Sequence, residues 1–174
     1  MLPPWPGWDG LHPLVIHFPI ALLMIAPVFV LLALAVRSHS IEFARGALLL
    51  LALGTVATYV AISTGKAAGE LAEHTDAINA VIGHHEEMAE TTVTTFTVLT
   101  LLYAVFVLGP GPLRRLRTPA AALVTNAVFL VVLAGASLLV VNTAHQGGRL
   151  VHQLGVHAIM PPAPPTAELP NDRE

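Results

Sequence analysis

The sequence contains no cysteine, which excludes disulfides, iron–sulfur ligation and covalently attached c-type haem. Charge is scarce: Asp, Glu, Lys and Arg make up 11% of the 174 residues against 55% hydrophobic ones, and the mean hydropathy of +0.72 lies outside soluble globular usage. Basic residues are few, and the formal net charge is −3; without a basic cluster beyond short loops the chain offers nothing to nucleic acid. There is no phosphate loop, nucleophilic serine motif or dinucleotide fingerprint. "STGKAAG" from Ser63 carries a GK pair but lacks the phosphate-loop spacing. No apolar span carries a charge of the kind that marks a coupled transporter.

What is present is length without charge. Four stretches free of Asp, Glu, Lys and Arg run over 10–36, 46–65, 91–112 and 118–148, each near or above the ~20 residues that cross a hydrocarbon core as helix. Backbone groups in lipid need internal partners, and runs this long without alternation exclude a barrel. The sequence therefore predicts an all-α integral membrane protein, an up-down four-helix transmembrane bundle over 1–159, with a proline-rich extracytoplasmic tail over 160–174. The first run is too long for a signal-peptide h-region and no Lys or Arg precedes it, so a retained helix is expected. Arg37 and Arg45 lie between the first two runs and Arg114, Arg115 and Arg117 between the last two, whereas the second connection has Lys66 against six acids. The positive-inside rule then predicts an N-out, C-out chain.

This alternation gathers the histidines. His12 and His17 open the first helix, His84 and His85 the third, and His145, His152 and His157 follow the fourth; with His74, eight of nine fall on the outer side, leaving His39 inside. Counting back to the cytoplasmic arginines at 1.5 Å per residue puts His12, His85 and His145 near one level, with His17 about one turn deeper. Helix phase predicts an inward polar stripe of Asn142, His145, Arg149 and His152. A second is expected from Thr55, Tyr59 and Ser63, and a third from His85, Met88 and Thr92. Pro13 suits a first helical turn, whereas Pro19 removes a bond to Val15 and predicts a kink.

Singly, each histidine has a structural explanation as a cap, an interface anchor or a solvated residue. His17 is the hardest to account for that way, because a polar ring in an apolar span needs a partner. Taken together, histidines from three helices at one level predict haem b in the bundle core, with His17 and His85 as the axial pair on the iron and His145 as the replacement for either. His12 would orient a ligand or a propionate, and Arg149 or Lys66 would pair with propionates. A copper or zinc site is the chemical alternative, with Met88 and the nearby Glu86, Glu87 and Glu90. "HHEEMAE" lacks the second histidine of the zinc-protease pattern. A non-redox assembly subunit, its histidines forming a hydrogen-bond network, is a further alternative.

Three segments, "HPLVIHFPIAL", "HEEMAETT" and "HQGGRLVHQLGV", together resemble a bacterial family of four-helix membrane proteins known as a domain of unknown function. Its signature looks like His-Pro-x-x-Val-His-Phe-Pro, with Gly-Gly-x-Leu-Val-Tyr after the last helix. The resemblance covers most of the chain and singles out His12, Pro13, His17, Phe18, Pro19, His85, His145, Gly147, Gly148, Leu150 and Val151; His152 stands where the family has Tyr. Its members occur alone or fused to cytochrome c modules. The resemblance thus implies a multi-pass protein of the bacterial inner (cytoplasmic) membrane that moves electrons near the outer face. With the haem reading, a quinol or cytochrome c type redox partner and a place in a larger membrane complex or homo-oligomer are expected, as an electron-transfer subunit rather than a stand-alone enzyme.

Overall fold

The computed structural model describes residues 5–109 and 118–157; Arg114, Arg115, Arg117 and the tail from 160 lie outside the described residues. Four helical spans are long and apolar enough to cross a membrane, and no strand occurs among the described residues.

The first span is a 3₁₀ turn (Asp9–Leu11) followed by α1 (His12–Val15) and α2 (His17–Ala35). Pro13 sits in the first turn of α1, where its missing N–H is harmless. The expected disturbance at Pro19 appears as the break between α1 and α2. Pro19 has no N–H for the Val15 carbonyl, and the next bond, Ile20 N to Ile16 O, is stretched to 3.4 Å. A second 3₁₀ turn (Arg37–His39) leads into α3 (Ser40–Gly69), then come α4 (Asp76–Leu108) and α5 (Pro119–His152). Thr75 and Thr118 cap the last two through their hydroxyls, which accept from the N–H groups of Ile78 (3.3 Å) and Ala121 (3.2 Å).

The helices overrun the charge-free stretches of the sequence. α4 starts fifteen residues before 91, so His84 and His85 lie in its third turn instead of opening it. The acids that end an apolar run do not end a helix: Glu87 and Glu90 are exposed, and an amphipathic turn projecting past the hydrocarbon keeps all its backbone bonds.

Each long helix packs against its neighbours in sequence, and α5 closes the ring on α2. The end carrying His12, the 70–75 turn and the finish of α5 is here called the upper end. Small residues let α2 and α3 approach: a Cβ on Gly46 would lie 2.7 Å from Phe29 Cδ1, and one on Gly54 would lie 2.6 Å from Leu23 Cδ2. Leu23, Val30, Leu51, Phe96, Tyr103 and Leu133 fill the middle and lower core, while Val131, Leu138, Leu101 and Leu53 point outwards and stay exposed. An apolar exterior of this kind is what lipid requires. Low in the bundle, the fully buried Tyr103 donates its hydroxyl to Asn126 Oδ1 at 2.8 Å, and Asn126 Nδ2 returns to Ala122 O at 3.0 Å.

Candidate functional site

The upper end of the bundle is hollow. A cavity of ≈ 450 Å³, with a mainly apolar wall, reaches from Leu23, Thr92 and Val140 up to His12 and His85, and Lys66, Glu86, His152 and His157 stand around its mouth. The volume lies within the range of small-molecule and cofactor sites, about 300–1,000 Å³.

Both deep histidines are held in the same way. His12 Nδ1 lies 2.9 Å from Ala61 O on α3, with Thr64 Oγ1 at 3.2 Å. His85 Nδ1 lies 3.0 Å from Thr143 O on α5. A carbonyl only accepts, so the proton is on Nδ1 in each ring and Nε2 keeps a bare lone pair. One helical turn beyond each carbonyl comes a glycine against which the ring rests: a Cβ on Gly65 would lie 2.8 Å from His12 Cε1, and one on Gly147 would lie 3.3 Å from His85 Cε1. The two rings come from α1 and α4, on opposite sides of the helix ring. Beneath His85, the Thr92 and Thr143 hydroxyls meet at 3.0 Å and each bonds a carbonyl of its own helix.

The remaining histidines are placed differently. His17 and His145 are exposed and do not line the cavity, so of the four that depth counting put at one end, His12 and His85 are the pair brought together. Arg149 is half-buried and bonds Gln146 Oε1 (2.9 Å) and Gln153 Oε1 (3.2 Å). Lys66 pairs with Glu90 at 2.8 Å. Among the described residues no three His, Asp or Glu side chains are grouped to hold a metal ion. Above the site Gly155 adopts φ +70, and Val156 N–H returns to Leu150 O at 2.9 Å, which folds Val156 and His157 back to the cavity.

Of the three expected stripes, one brings His85 and Thr92 to the cavity without Met88, and the other two turn inwards only in part, at His152 on the cavity wall and at the buried Thr55. Asn142 and His145 on α5, and Tyr59 and Ser63 on α3, are exposed. The inward faces run instead through Ala61 and Gly65 on α3 and Thr143 and Gly147 on α5. Close helix packing selected the small residues over the polar ones, and Tyr59 found a partner sideways in Thr97 Oγ1 at 3.1 Å. The signal for Ala61 and Gly65 in the sequence is the small–x₃–small spacing ahead of Lys66, which Thr143 and Gly147 share.

No curated protein and no solved structure matches the chain. The family model described as Predicted membrane protein (DUF2231) matches residues 9–159, a range that takes in all five helices and both histidine seats, and the chain belongs to that family.

Proposed function

We propose that this protein is a b-type haem subunit of the bacterial inner membrane that carries electrons near the outer face, with His12 and His85 as the two histidines that would hold the haem. The observation that supports this most is the pair of Nδ1-to-carbonyl bonds, 2.9 Å at Ala61 and 3.0 Å at Thr143. A metal-binding histidine is commonly oriented by such a bond, which fixes the tautomer and raises the basicity of the other nitrogen. Here it leaves the Nε2 of each ring without a proton, on two histidines that line one mainly apolar cavity. Two imidazoles suffice to hold a haem, whereas a structural zinc site takes four ligands.

Haem, when bound, supplies one-electron redox chemistry; the chain supplies the rest. Ile20, Leu23 and Val140 exclude water from the deep part of the cavity. Lys66 and His152 stand at the mouth, where carboxylate groups of a ligand meet positive charge or hydrogen-bond donors. With Arg37 and Arg45 at the lower end, the positive-inside rule turns the upper end away from the cytoplasm. A quinol or a cytochrome c type protein is the electron partner this position suits, and a larger redox complex is the setting.

The test is a reduced-minus-oxidised absorption spectrum of the detergent-purified protein with His12→Ala, His85→Ala, His17→Ala and His145→Ala. A sharp reduced α-band that survives in the last two variants and is lost in the first two is the expected result. Loss in His17→Ala with retention in His12→Ala assigns the axial role to His17 instead. No Soret absorption after expression with added haem overturns the reading and leaves the histidines as a structural network of an assembly subunit.

A further inference from the structure

The cavity lies on an internal two-fold axis. Residues of α3 recur on α5 a constant 82 positions later: Ala61 with Thr143 and Gly65 with Gly147 at the histidine seats, Leu51 with Leu133 and Thr55 with Ser137 in the core, each pair buried or lining the cavity alike. The first span recurs on α4 73 positions later, as His12 with His85, Pro19 with Thr92 and Leu23 with Phe96. Two helical hairpins of one design thus run side by side in the same direction, and the axis passes down the bundle centre.

The symmetry fails at one place that faces the membrane. In the α3–α4 seam Lys66 reaches Glu90 and closes the wall with an ion pair. In the α5–α1 seam the equivalent positions hold Gly148 and His17, which form no such bridge. A Cβ on Gly148 would meet nothing within 4 Å, and Ala144, in the place of Ile62, is exposed. α1 packs on α3, and α2 and α5 are in contact below. Pro13, Ile16, Ala144 and Gly148 line the cavity as their counterparts Glu86, Ala89, Ile62 and Lys66 do, but with alanine and glycine where α3 has isoleucine and lysine, this seam is, among the described residues, a slot that opens the cavity sideways.

Its depth indicates what passes. From Pro119 to Ala144 the helix rises about 38 Å, past a hydrocarbon core of about 30 Å, so the slot opens at headgroup level with apolar wall below and His17 at its lower rim. A ligand admitted there has a flat apolar body and a charged or hydrogen-bonding edge.

We propose that the α1–α5 slot is the lateral portal through which a porphyrin dicarboxylate passes from the membrane interface into the two-histidine cavity. This rests on the haem reading given above.

Two measurements test it. The full chain, produced under haem limitation and held in nanodiscs, receives hemin from vesicles while the Soret band is followed. Gly148→Phe and Ala144→Phe are expected to slow its growth by about tenfold or more, one decade of barrier, and to end on the wild-type spectrum. Leu53→Phe, on the outward face of α3 and away from both seams, loads at the wild-type rate. Wild-type rates in both Phe variants overturn the portal, whereas no Soret band in any protein overturns the haem reading instead. The slot is then read without haem, because a chain without cysteine takes a single spin label. A label at Ala144→Cys is expected to be relaxed by a lipid-anchored nickel chelate and one at Ile62→Cys protected; equal protection at the two positions overturns the portal.

Discussion

Gly65→Ala and Gly147→Ala are the same substitution at equivalent positions of the two hairpins, and the structure separates them. At Gly65 the new methyl carbon falls 2.8 Å from His12 Cε1 and 3.1 Å from Nδ1, where carbon contacts settle at about 3.5–4.0 Å. The imidazole has to retreat by roughly 0.7 Å, and it is tied by the 2.9 Å bond to Ala61 O, so the retreat strains that bond or breaks it. Overpacking costs about 1–3 kcal/mol and a lost hydrogen bond about 1 kcal/mol, against about 1 kcal/mol gained from Gly→Ala in a helix interior. The net loss is about 1–3 kcal/mol. At Gly147 the contact is 3.3 Å to a single atom of His85, which a shift of a few tenths of an ångström relieves, so the helix-propensity gain offsets it and the variant stays within about 1 kcal/mol of wild type. SDS titration of the purified protein, followed by far-UV circular dichroism, measures the difference; a gap of about 2 kcal/mol is roughly a 30-fold change in the folding equilibrium. Gly147→Ala as damaging as Gly65→Ala, or more so, refutes the reasoning.

The same titration checks three more variants. Tyr103→Phe removes the donor to the buried Asn126 Oδ1 and is expected to cost about 1–3 kcal/mol, with Tyr103→Phe/Asn126→Leu recovering part of the loss because no buried acceptor is left unpaired. Lys66→Ala deletes an ion pair whose side chains are 49% and 59% exposed, and its effect stays below about 1 kcal/mol. Gly54→Leu drives a side chain into Leu23, whose Cδ2 already lies 2.6 Å from a built Cβ; a loss of about 1–3 kcal/mol is expected, read as a lower SDS midpoint.

The membrane class and the four spans were legible because charge-free length is a direct demand of the hydrocarbon on the chain. Helix ends were not, since α4 continues through Glu86, Glu87 and Glu90 where water or the headgroups take over, and hydropathy there says nothing about helicity. Of the site, His85 with Thr92 was legible from phase. His12 was legible as an outer-end histidine, but its seat was not, because depth counting says nothing of which carbonyl and which glycine on α3 the ring meets. Tyr103 and Asn126 were missed, although a lone Asn in an apolar run asks for a partner. The hairpin duplication escaped notice because few identities survive it. Pairs such as Thr55/Ser137 and Leu23/Phe96 keep size and burial, not letters.

The ring of helices has four seams, and the chain crosses three of them: the Arg37–His39 turn joins α2 to α3, residues 70–75 join α3 to α4, and the segment after Leu108 joins α4 to α5. The fourth seam lies between the first span and α5, and no peptide link ties those helices to one another. It is also the seam with the slot. Because no loop shortens or lengthens when they part, a separation of these two helices at the upper end strains no connection.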